Sequence, residues 1–583
     1  MKTVTIKING QPIKVPEDYT VLEAAKKMNV NIPTLCYHPD LHAWAACGIC
    51  VVRLENSPKM VRACATPVTE GMGIITHDPE LFQVRKTVIE LIMSTHPNSC
   101  LVCGRNGTCE LQELAADFGV REQPYEVRLR DLPHDESTPS IVLHREKCIS
   151  CGRCANVCQS LQGVWALEFV GRGEHTVIAP AGDLELNDSP CIKCGQCSAH
   201  CPVGAIFERD QTRTFLDAVR DEKYHVVVQI APAVRVAIGE SFDIPPGTVC
   251  TGKTYAALRR LGADAVFDTN FSADVTIMEE GSELVHRLTS DDGVLPQITS
   301  CCPAWTDYME KYYPDMIPHF STAKSPMMMQ GSLTKTYYAQ NMGIDPEHIY
   351  SVAIMPCTAK KFEKERDDNM FSSGHRDVDL VLTTRELSRL IRSSGIDFAN
   401  LPEEEADSPI GSYSGAGTIF GNTGGVMEAA IRTAYNLVTG DELDDLDVTS
   451  VRGMEGVRRG SVNIKDKEIK VAVAHGMVNV STILDEIREA KEAGTEPPYH
   501  FIEVMACRGG CIAGGGQPYI TTDDVRQKRI EGIYSDDAKS AIRCSHHNPQ
   551  VKQLYEEFLG SPLSDKSHEL LHTTYQARPI YKK

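Results

Sequence analysis

Nineteen of the 22 cysteines fall into groups with ligand-like spacing, and thiolates so spaced hold iron–sulfur clusters or zinc. Cys148, Cys151, Cys154 and Cys158 form one run; Cys191, Cys194, Cys197 and Cys201 form a second that ends in Pro202. In each, three cysteines recur at every third position and a fourth follows four residues on, the arrangement that carries a pair of [4Fe–4S] cubanes. A cubane needs four thiolates in tetrahedral directions. One tight loop supplies three, and the fourth cysteine of each run ligates the other cluster. The spacing therefore assigns Cys148, Cys151, Cys154 and Cys201 to one cubane and Cys191, Cys194, Cys197 and Cys158 to the second. Zinc also accepts four thiolates, but rarely from two such runs in tandem.

Cys36, Cys47, Cys50 and Cys64 resemble the plant-type [2Fe–2S] spacing, with ten residues rather than four after the first cysteine. Structural zinc is the alternative there. His96, Cys100, Cys103 and Cys109 offer one imidazole and three thiolates. Zinc takes such a set, but its place between two iron–sulfur modules favours a further [4Fe–4S] cluster. A His ligand would alter that cluster's charge and proton coupling. Four accessory clusters in one chain make sense as a wire, because each electron hop must be short. Three separated segments remain: Thr299-Ser300-Cys301-Cys302-Pro303-Ala304-Trp305, Met355-Pro356-Cys357-Thr358-Ala359-Lys360-Lys361, and the run from Glu503 to Pro518 that contains Cys507 and Cys511. Cys302, Cys357, Cys507 and Cys511 could hold one more cubane, or each could be a buried structural cysteine. Gly509, Gly510 and Gly514 to Gly516 would let backbone approach a bulky cofactor closely. Cys250 and Cys544 stand alone.

A length of 583 residues predicts about three to five domains. Apolar residues at 42% and charged residues at 24% exclude disorder and collagen-like architecture. A net charge of -20 argues against a nucleic-acid binder. No uncharged apolar run reaches the roughly 18 residues of a membrane span. The run Met1-Lys2-Thr3-Val4-Thr5-Ile6-Lys7 alternates like a strand and lacks the apolar core of a signal peptide, which predicts a cytoplasmic protein. Close cysteine spacing in that compartment reads as metal or redox chemistry rather than disulfides.

The elements that must position these residues follow. Strands at 4–8 and 12–15 joined by Asn9-Gly10 form a hairpin, and Thr20 caps a helix over 20–29. With the first four cysteines this predicts a ferredoxin-like (β-grasp) [2Fe–2S] domain over 1–80. Helical periodicity at 81–94 and 110–118 frames the His96 group in a small domain over 81–126. Residues 127–145 read as a linker with a short strand, opening a two-[4Fe–4S] ferredoxin-like domain over 127–220. Beyond 220, apolar runs at 224–230, 265–268, 294–298, 350–355, 378–383, 470–475 and 500–505, with a helix over 249–261, predict parallel sheets covered by helices. The fold class is multidomain α/β, with a large C-terminal catalytic domain over 221–583.

Taken together, the three C-terminal segments resemble the active-site signatures of the [FeFe]-hydrogenases, TSCCPxW, MPCxxKK and ExMACxGGCxxGGGQP. The resemblance covers essentially the whole chain. The N-terminal clusters are similar to those of the four-cluster clostridial-type enzyme and of the catalytic subunit of NADP-reducing, or electron-bifurcating, hydrogenases. It implies an H-cluster: a cubane bridged through one cysteine to a di-iron unit with CO, cyanide and dithiolate ligands. By motif, Cys302, Cys357, Cys507 and Cys511 hold the cubane and Cys511 is the bridge. Lys360 is placed to donate a charge-assisted bond to a cyanide. Ala231, Pro232, Pro326, Met355, Phe420 and Met505 match the pocket wall. Ala233 and Met327 stand where some relatives have Ser and Gln. Cys301 matches the proton donor, with an ordinary thiol pKa of roughly 8.5 suited to two-way exchange. Glu280, Ser321 and Glu283 match the rest of the proton relay. The plainer alternatives are a solvated helix face for the two glutamates and a helix cap for Ser321. Gly415 to Gly425 lack the spacing and preceding strand of a dinucleotide loop, so no nicotinamide or flavin site is read in this chain.

The activity implied is reversible oxidation of H2, which needs a Lewis-acidic open metal site and a nearby base. Electrons would leave through the accessory clusters to partner subunits that bind flavin and NAD(P), with ferredoxin as a second candidate. A non-catalytic H2 sensor or an iron–sulfur assembly protein would share the clusters, but such relatives tend to lose the relay cysteine or the full accessory set. An electron-input arm like that of respiratory complex I would share only residues 1–208 in style.

Overall fold

The computed structural model describes residues 2–290, 293–366, 370–464, 467–519 and 521–582. Met1, which opens the alternating N-terminal run, lies outside them. In β1 (Thr3–Ile8), Val4, Ile6 and Ile8 are buried and alternate with exposed residues, the period of a half-buried strand. Asn9 and Gly10 take φ of 50° and 78°, the left-handed pair that a two-residue hairpin turn requires. They return the chain antiparallel into β2 (Gln11–Pro16). Thr20 caps the helix Val21–Lys27 in a reciprocal box with Glu23. β3 (Val51–Leu54), β4 (Met60–Arg62) and β5 (Gly73–Ile75) complete a sheet of order β2-β1-β5-β3-β4, the ferredoxin-like domain expected.

Helices Pro79–Met93 and Glu110–Asp117 flank the His96 group. β6 (Ile141–Leu143) pairs antiparallel with β9 (Ile206–Glu208), and between them β7 (Glu168–Val170) and β8 (Val177–Ala179) make a small hairpin. The catalytic region then adds β10 (His225–Ile230), β11 (Ala265–Asp268), β12 (Gln297–Ile298), β13 (Ile349–Met355), β14 (Leu380–Thr383), β15 (Val457–Ile464), β16 (Lys467–His475) and β17 (Phe501–Met505). One sheet, β11-β10-β13-β14, is parallel throughout. The other, β12-β17-β16-β15, is parallel except at the β15–β16 hairpin. β11 and β14 are buried at every position, as sheets covered on both faces demand.

In the catalytic region two strands depart from the sequence reading. The run expected at 294–298 shortens to Gln297–Ile298, because Pro296 has no N–H for a ladder. β15 was not expected: Arg459, Ser461 and Asn463 face solvent along an edge strand and dilute its apolar signal.

The N-terminal domains are tied to one another and to the catalytic region by polar contacts. Asn156 Nδ2 donates to His42 O at 2.8 Å. Arg153 grips Glu110 through two bonds of 2.7 and 2.8 Å. Asp40, its side chain buried in the loop between Cys36 and Cys47, accepts from Arg508 Nη1 at 2.8 Å and from Arg526. Removing one member of a buried ion pair costs about 3–5 kcal/mol, because the partner charge is left uncompensated. Asp40→Ala is therefore expected to lower stability by about 3 kcal/mol and to raise hydrogen exchange across residues 36–50. Unchanged exchange there would refute the clamp.

Candidate active site and cluster cradles

Each predicted cluster ligand set lines its own cavity or contact group. Cys148, Cys151, Cys154 and Cys201 surround about 330 Å³ of unfilled space. Cys158, Cys191, Cys194 and Cys197 surround about 360 Å³. His96, Cys100, Cys103 and Cys109 surround about 310 Å³. The crossed partition of the two runs is thus the one the chain folds into. His96 Nδ1 is buried without a hydrogen-bond partner, as a ring held ready for a metal would be. Cys50 and Cys64 lie 3.4 Å apart, and Cys36 accepts from Cys47 N at 3.5 Å, so the first four cysteines also converge.

The largest of the cradles lies where the two catalytic sheets point their carboxyl ends at each other, the usual ligand position in open α/β sheets. β10 delivers Ala231 and Pro232, and β13 ends at Met355 just before Cys357. β12 leads into Cys301 and Cys302, and Cys302 precedes the first turn of the helix Pro303–Tyr312. β17 ends at Met505 before Cys507 and Cys511. Pro326 starts a wholly buried helix, Pro326–Leu333, and Phe420 follows the helix Gly415–Ile419. Together these residues line about 760 Å³, more than twice the volume around each accessory set. Cys302, Cys357, Cys507 and Cys511 occupy one part. Ala231, Pro232, Pro326, Met355, Phe420 and Met505 supply an apolar wall, with Cys301 and Lys360 as polar groups. Ala233, Met327 and Gly421 of the glycine-rich stretch also line it, as do Thr269 and Ala273, which the sequence reading did not single out.

A Cβ at Gly510 (φ +94°) would lie 2.6 Å from Thr423 N and 2.8 Å from Met505 Sδ, and one at Gly515 would collide with the Cys194 carbonyl. These glycines admit neighbouring backbone, rather than the cofactor alone as the sequence suggested. They bring the loop of Cys194 against the catalytic cradle. Gln196, inside that loop, donates to Cys507 Sγ at 3.1 Å and to Ala513 O at 3.0 Å. Its position between Cys194 and Cys197 was legible in the sequence; its reach to Cys507, over 300 residues away, was not.

Burial pushes the thiols of Cys302, Cys357, Cys507 and Cys511 above the ordinary range, and neighbouring thiols push Cys357, Cys507 and Cys511 further. Four buried thiols are unfavourable as thiolates unless a cationic centre sits among them. The donor set and the cavity both fit an iron–sulfur cofactor. Burial would lower the Lys360 pKa, but Glu363, 2.7 Å away, more than offsets it and keeps the ammonium charged. Lys360 Nζ also donates to Cys301 O at 3.1 Å.

Glu280 and Glu283 sit on the helix Thr269–Thr289 and are buried, not on a solvated face. Ser321 is not a helix cap: the apolar helix starts at Pro326, and Ser321 Oγ donates to Glu283 Oε2 at 2.8 Å. Glu283 is further held by Thr322 N at 3.1 Å and Arg287 at 2.7 Å. Burial, then the charge of Glu283, pushes Glu280 up to about 8, against a hydrogen bond from Ser321. Cys301 is pushed well above the usual thiol range by burial and then by Glu280. It rests as a neutral thiol, further from neutral pH than its type alone implied.

This is the site of an iron–sulfur oxidoreductase whose electron carriers and catalytic cradle share one chain. The chain belongs to the iron-only, or [FeFe], hydrogenases and is an enzyme of that family, a hydrogenase catalytic subunit with accessory iron–sulfur domains. Residues 224–515 match the C-terminal domain of the iron-only hydrogenase large subunit, and 523–578 match the iron hydrogenase small subunit. Residues 1–79, 85–124 and 147–205 match a 2Fe-2S cluster binding domain, the NADH-ubiquinone oxidoreductase-G iron–sulfur binding region and a 4Fe-4S dicluster domain. The chain is 47% identical to the NADP-reducing hydrogenase subunit HndD of Solidesulfovibrio fructosivorans, over 99% of this chain and 100% of that one. It is 39% identical to iron hydrogenase 1 of Clostridium pasteurianum, over 98% and 100%. A solved variant of the [FeFe]-hydrogenase HydA1 of Chlamydomonas reinhardtii superposes with a TM-score of 0.57 at 41% identity, over 64% of this chain and 100% of that one. No helix among the described residues is long and apolar enough to cross a membrane.

Because its pKa is raised, Glu280 keeps its proton at neutral pH and loses it as pH climbs through about 8. Infrared difference titration should show a carboxylic-acid C=O band fading near that pH and absent from Glu280→Gln. A band that fades near pH 4.5, the ordinary value, would contradict the burial argument.

Proposed function

We propose that this chain catalyses the reversible oxidation of H2 to protons and electrons. The observation that carries the reading is the 760 Å³ cavity, which joins four thiols to an apolar wall, Lys360 and Cys301. Four thiols beside an apolar wall suit a cubane plus a second metal unit, and an H-cluster bound there would supply an open Lewis-acidic iron and an adjacent amine base for heterolytic H2 cleavage. Cys302, Cys357, Cys507 and Cys511 would hold the cubane, with Cys511 as the bridging thiolate. Ala231, Pro232, Pro326, Met355, Phe420 and Met505 enclose the reacting centre and exclude water. An ammonium has three N–H donors; Lys360 gives two to Cys301 O and Glu363 and keeps a third for a cyanide ligand. Protons pass between Cys301 and Glu280, then through the Ser321 hydroxyl to Glu283, which Arg287 and Thr322 hold in place.

A cluster held by Cys158, Cys191, Cys194 and Cys197 would supply the first electron carrier, since its loop touches Cys507 through Gln196. One held by Cys148, Cys151, Cys154 and Cys201 would supply the next, and two contacts lead on from there. Gly204, three residues past Cys201, packs on Cys103 of the His96 set, and Asn156 holds His42 of the [2Fe–2S] loop. The full complement is one [2Fe–2S] cluster, three accessory [4Fe–4S] clusters and the H-cluster, in domains 1–80, 81–126, 127–220 and 221–583. Leu101 and Val102, between two ligands of the His96 set, are 91% and 85% exposed. So bare an apolar tip on a cluster loop fits a docking protein. The relative HndD is by name a subunit of an NADP-reducing hydrogenase, which supports a partner subunit that takes electrons to NAD(P); flavin in that partner, ferredoxin as a further acceptor and a cytoplasmic location complete the proposal.

Two experiments test this. Cys301→Ala and Cys301→Ser should keep the iron content and the CO and cyanide infrared bands, yet lose H2 turnover by at least about 100-fold, the usual worth of positioned proton transfer. Near wild-type turnover would remove Cys301 from the relay, and loss of the bands would make it a ligand or assembly residue. The purified chain should also reduce artificial dyes with H2 but not NAD(P). Appreciable NAD(P) reduction by the chain alone would refute the need for a partner.

A further inference from the structure

Cys544 has no place in the cluster sets, and the fold does not leave it alone. Cys544, His546 and His547 lie on and beside the short turn Ser545–His547 in the C-terminal segment. Glu442 comes from the loop after the helix Gly425–Thr439. One ligand atom from each of these four residues lies within 4.8 Å of all the others. His546 Nε2 lies 3.3 and 3.2 Å from the two Glu442 carboxylate oxygens, and His547 Nε2 lies 3.1 Å from one of them. His546 Nδ1 lies 3.2 Å from Thr433 Oγ1. A hydrogen bond from that ring nitrogen fixes the tautomer and leaves the Nε2 lone pair free to bind a metal.

The charges around the group are already balanced. Arg432 is paired with Glu428 and Asp537, and Arg543 with Asp537 and Asp447. Neither guanidinium needs Glu442. The thiol is buried, whereas the side chains of Glu442 and His547 are 49% and 46% exposed, which gives an ion a route in from solvent. We propose that Glu442, Cys544, His546 and His547 bind one structural divalent transition-metal ion, zinc by its donor chemistry. One thiolate, two imidazoles and one carboxylate complete a tetrahedral zinc shell, and the two anions balance the ion's charge. The ion would staple the C-terminal segment to the loop that leads towards Met454, whose sulfur sits over Gly509 beside the catalytic cysteines.

The test is zinc content and zinc X-ray absorption on the intact holoenzyme, equilibrated with micromolar zinc and desalted. About one zinc per chain is expected, with one sulfur near 2.3 Å and the remaining ligands at about 2.0–2.2 Å. Cys544→Ser should lose the sulfur scattering. His547→Ala and Glu442→Ala should weaken zinc binding at least about tenfold, a typical loss for disturbed metal shells, with iron content and H2 turnover unchanged. Absence of zinc from the wild type would overturn the proposal. So would a zinc bound by three sulfurs and indifferent to His547→Ala, which would place it on His96, Cys100, Cys103 and Cys109. Zinc with no sulfur, retained equally by all variants, would mean adventitious binding and would also overturn it.

Discussion

Four thiols confined in one low-dielectric cavity repel the charge that each would acquire on ionising. This chain imposes that arrangement repeatedly. Cys154, Cys194, Cys197 and Cys507 are all pushed well above the usual thiol range, by burial first and by neighbouring sulfurs second. A cationic iron–sulfur core reverses the balance, so cofactor binding and cradle stability are one free energy. The coupling reaches beyond the cradles. Cys154, Cys191, Cys197 and Cys201 sit in the same continuous core as Trp305, Ile502 and Val504 of the catalytic region. The accessory clusters are therefore part of the packing that holds β17 and the helix Pro303–Tyr312, and not an appendage to it.

That shared core explains why the strands end where they do. Ligands for the large cradle come from segments after β12, β13 and β17, each a rigid strand whose carboxyl end stops at the cavity. Irregular backbone there must satisfy its own polar groups. Glu503 does part of this, accepting from Gly424 N at 2.6 Å and Met427 N at 2.8 Å, which fixes the loop that carries Gly421. Thr358 Oγ1 donates to Lys193 O at 2.8 Å, and Arg385 links Glu208 to Gly515 O. The close approach of the accessory and catalytic segments is thus held by directional bonds as well as apolar contact. Distance between electron carriers depends on such contacts being rigid.

Proton movement needs the opposite property, a set of groups whose charge can change cheaply. Glu280 and Glu283 are both buried on one helix; burial first, and then the charge of Glu283, holds Glu280 protonated at neutral pH, while Arg287 pairs with Glu283. The surroundings, not the residue type, set the charge that Glu280 bears. The Ser321 hydroxyl can both donate and accept, and it donates to Glu283 Oε2 at 2.8 Å.

Cysteine spacing was enough to group Cys158 with Cys191, Cys194 and Cys197, and Cys201 with Cys148, Cys151 and Cys154, the grouping in which these side chains line two cavities. Strand periodicity and the Asn9-Gly10 turn likewise determined the first hairpin of the N-terminal sheet and most of the parallel strands, since both signals are local. What the sequence could not decide was environment. The helix Thr269–Thr289 carries its glutamates inward, the segment after Ser321 bends before its helix begins, and Gln196 meets Cys507. Cys544 looked solitary until Glu442 came beside it from about 100 residues away. Spacing records which atoms can share a metal, but burial and long-range approach set the charge each group bears, and only the packed chain decides those.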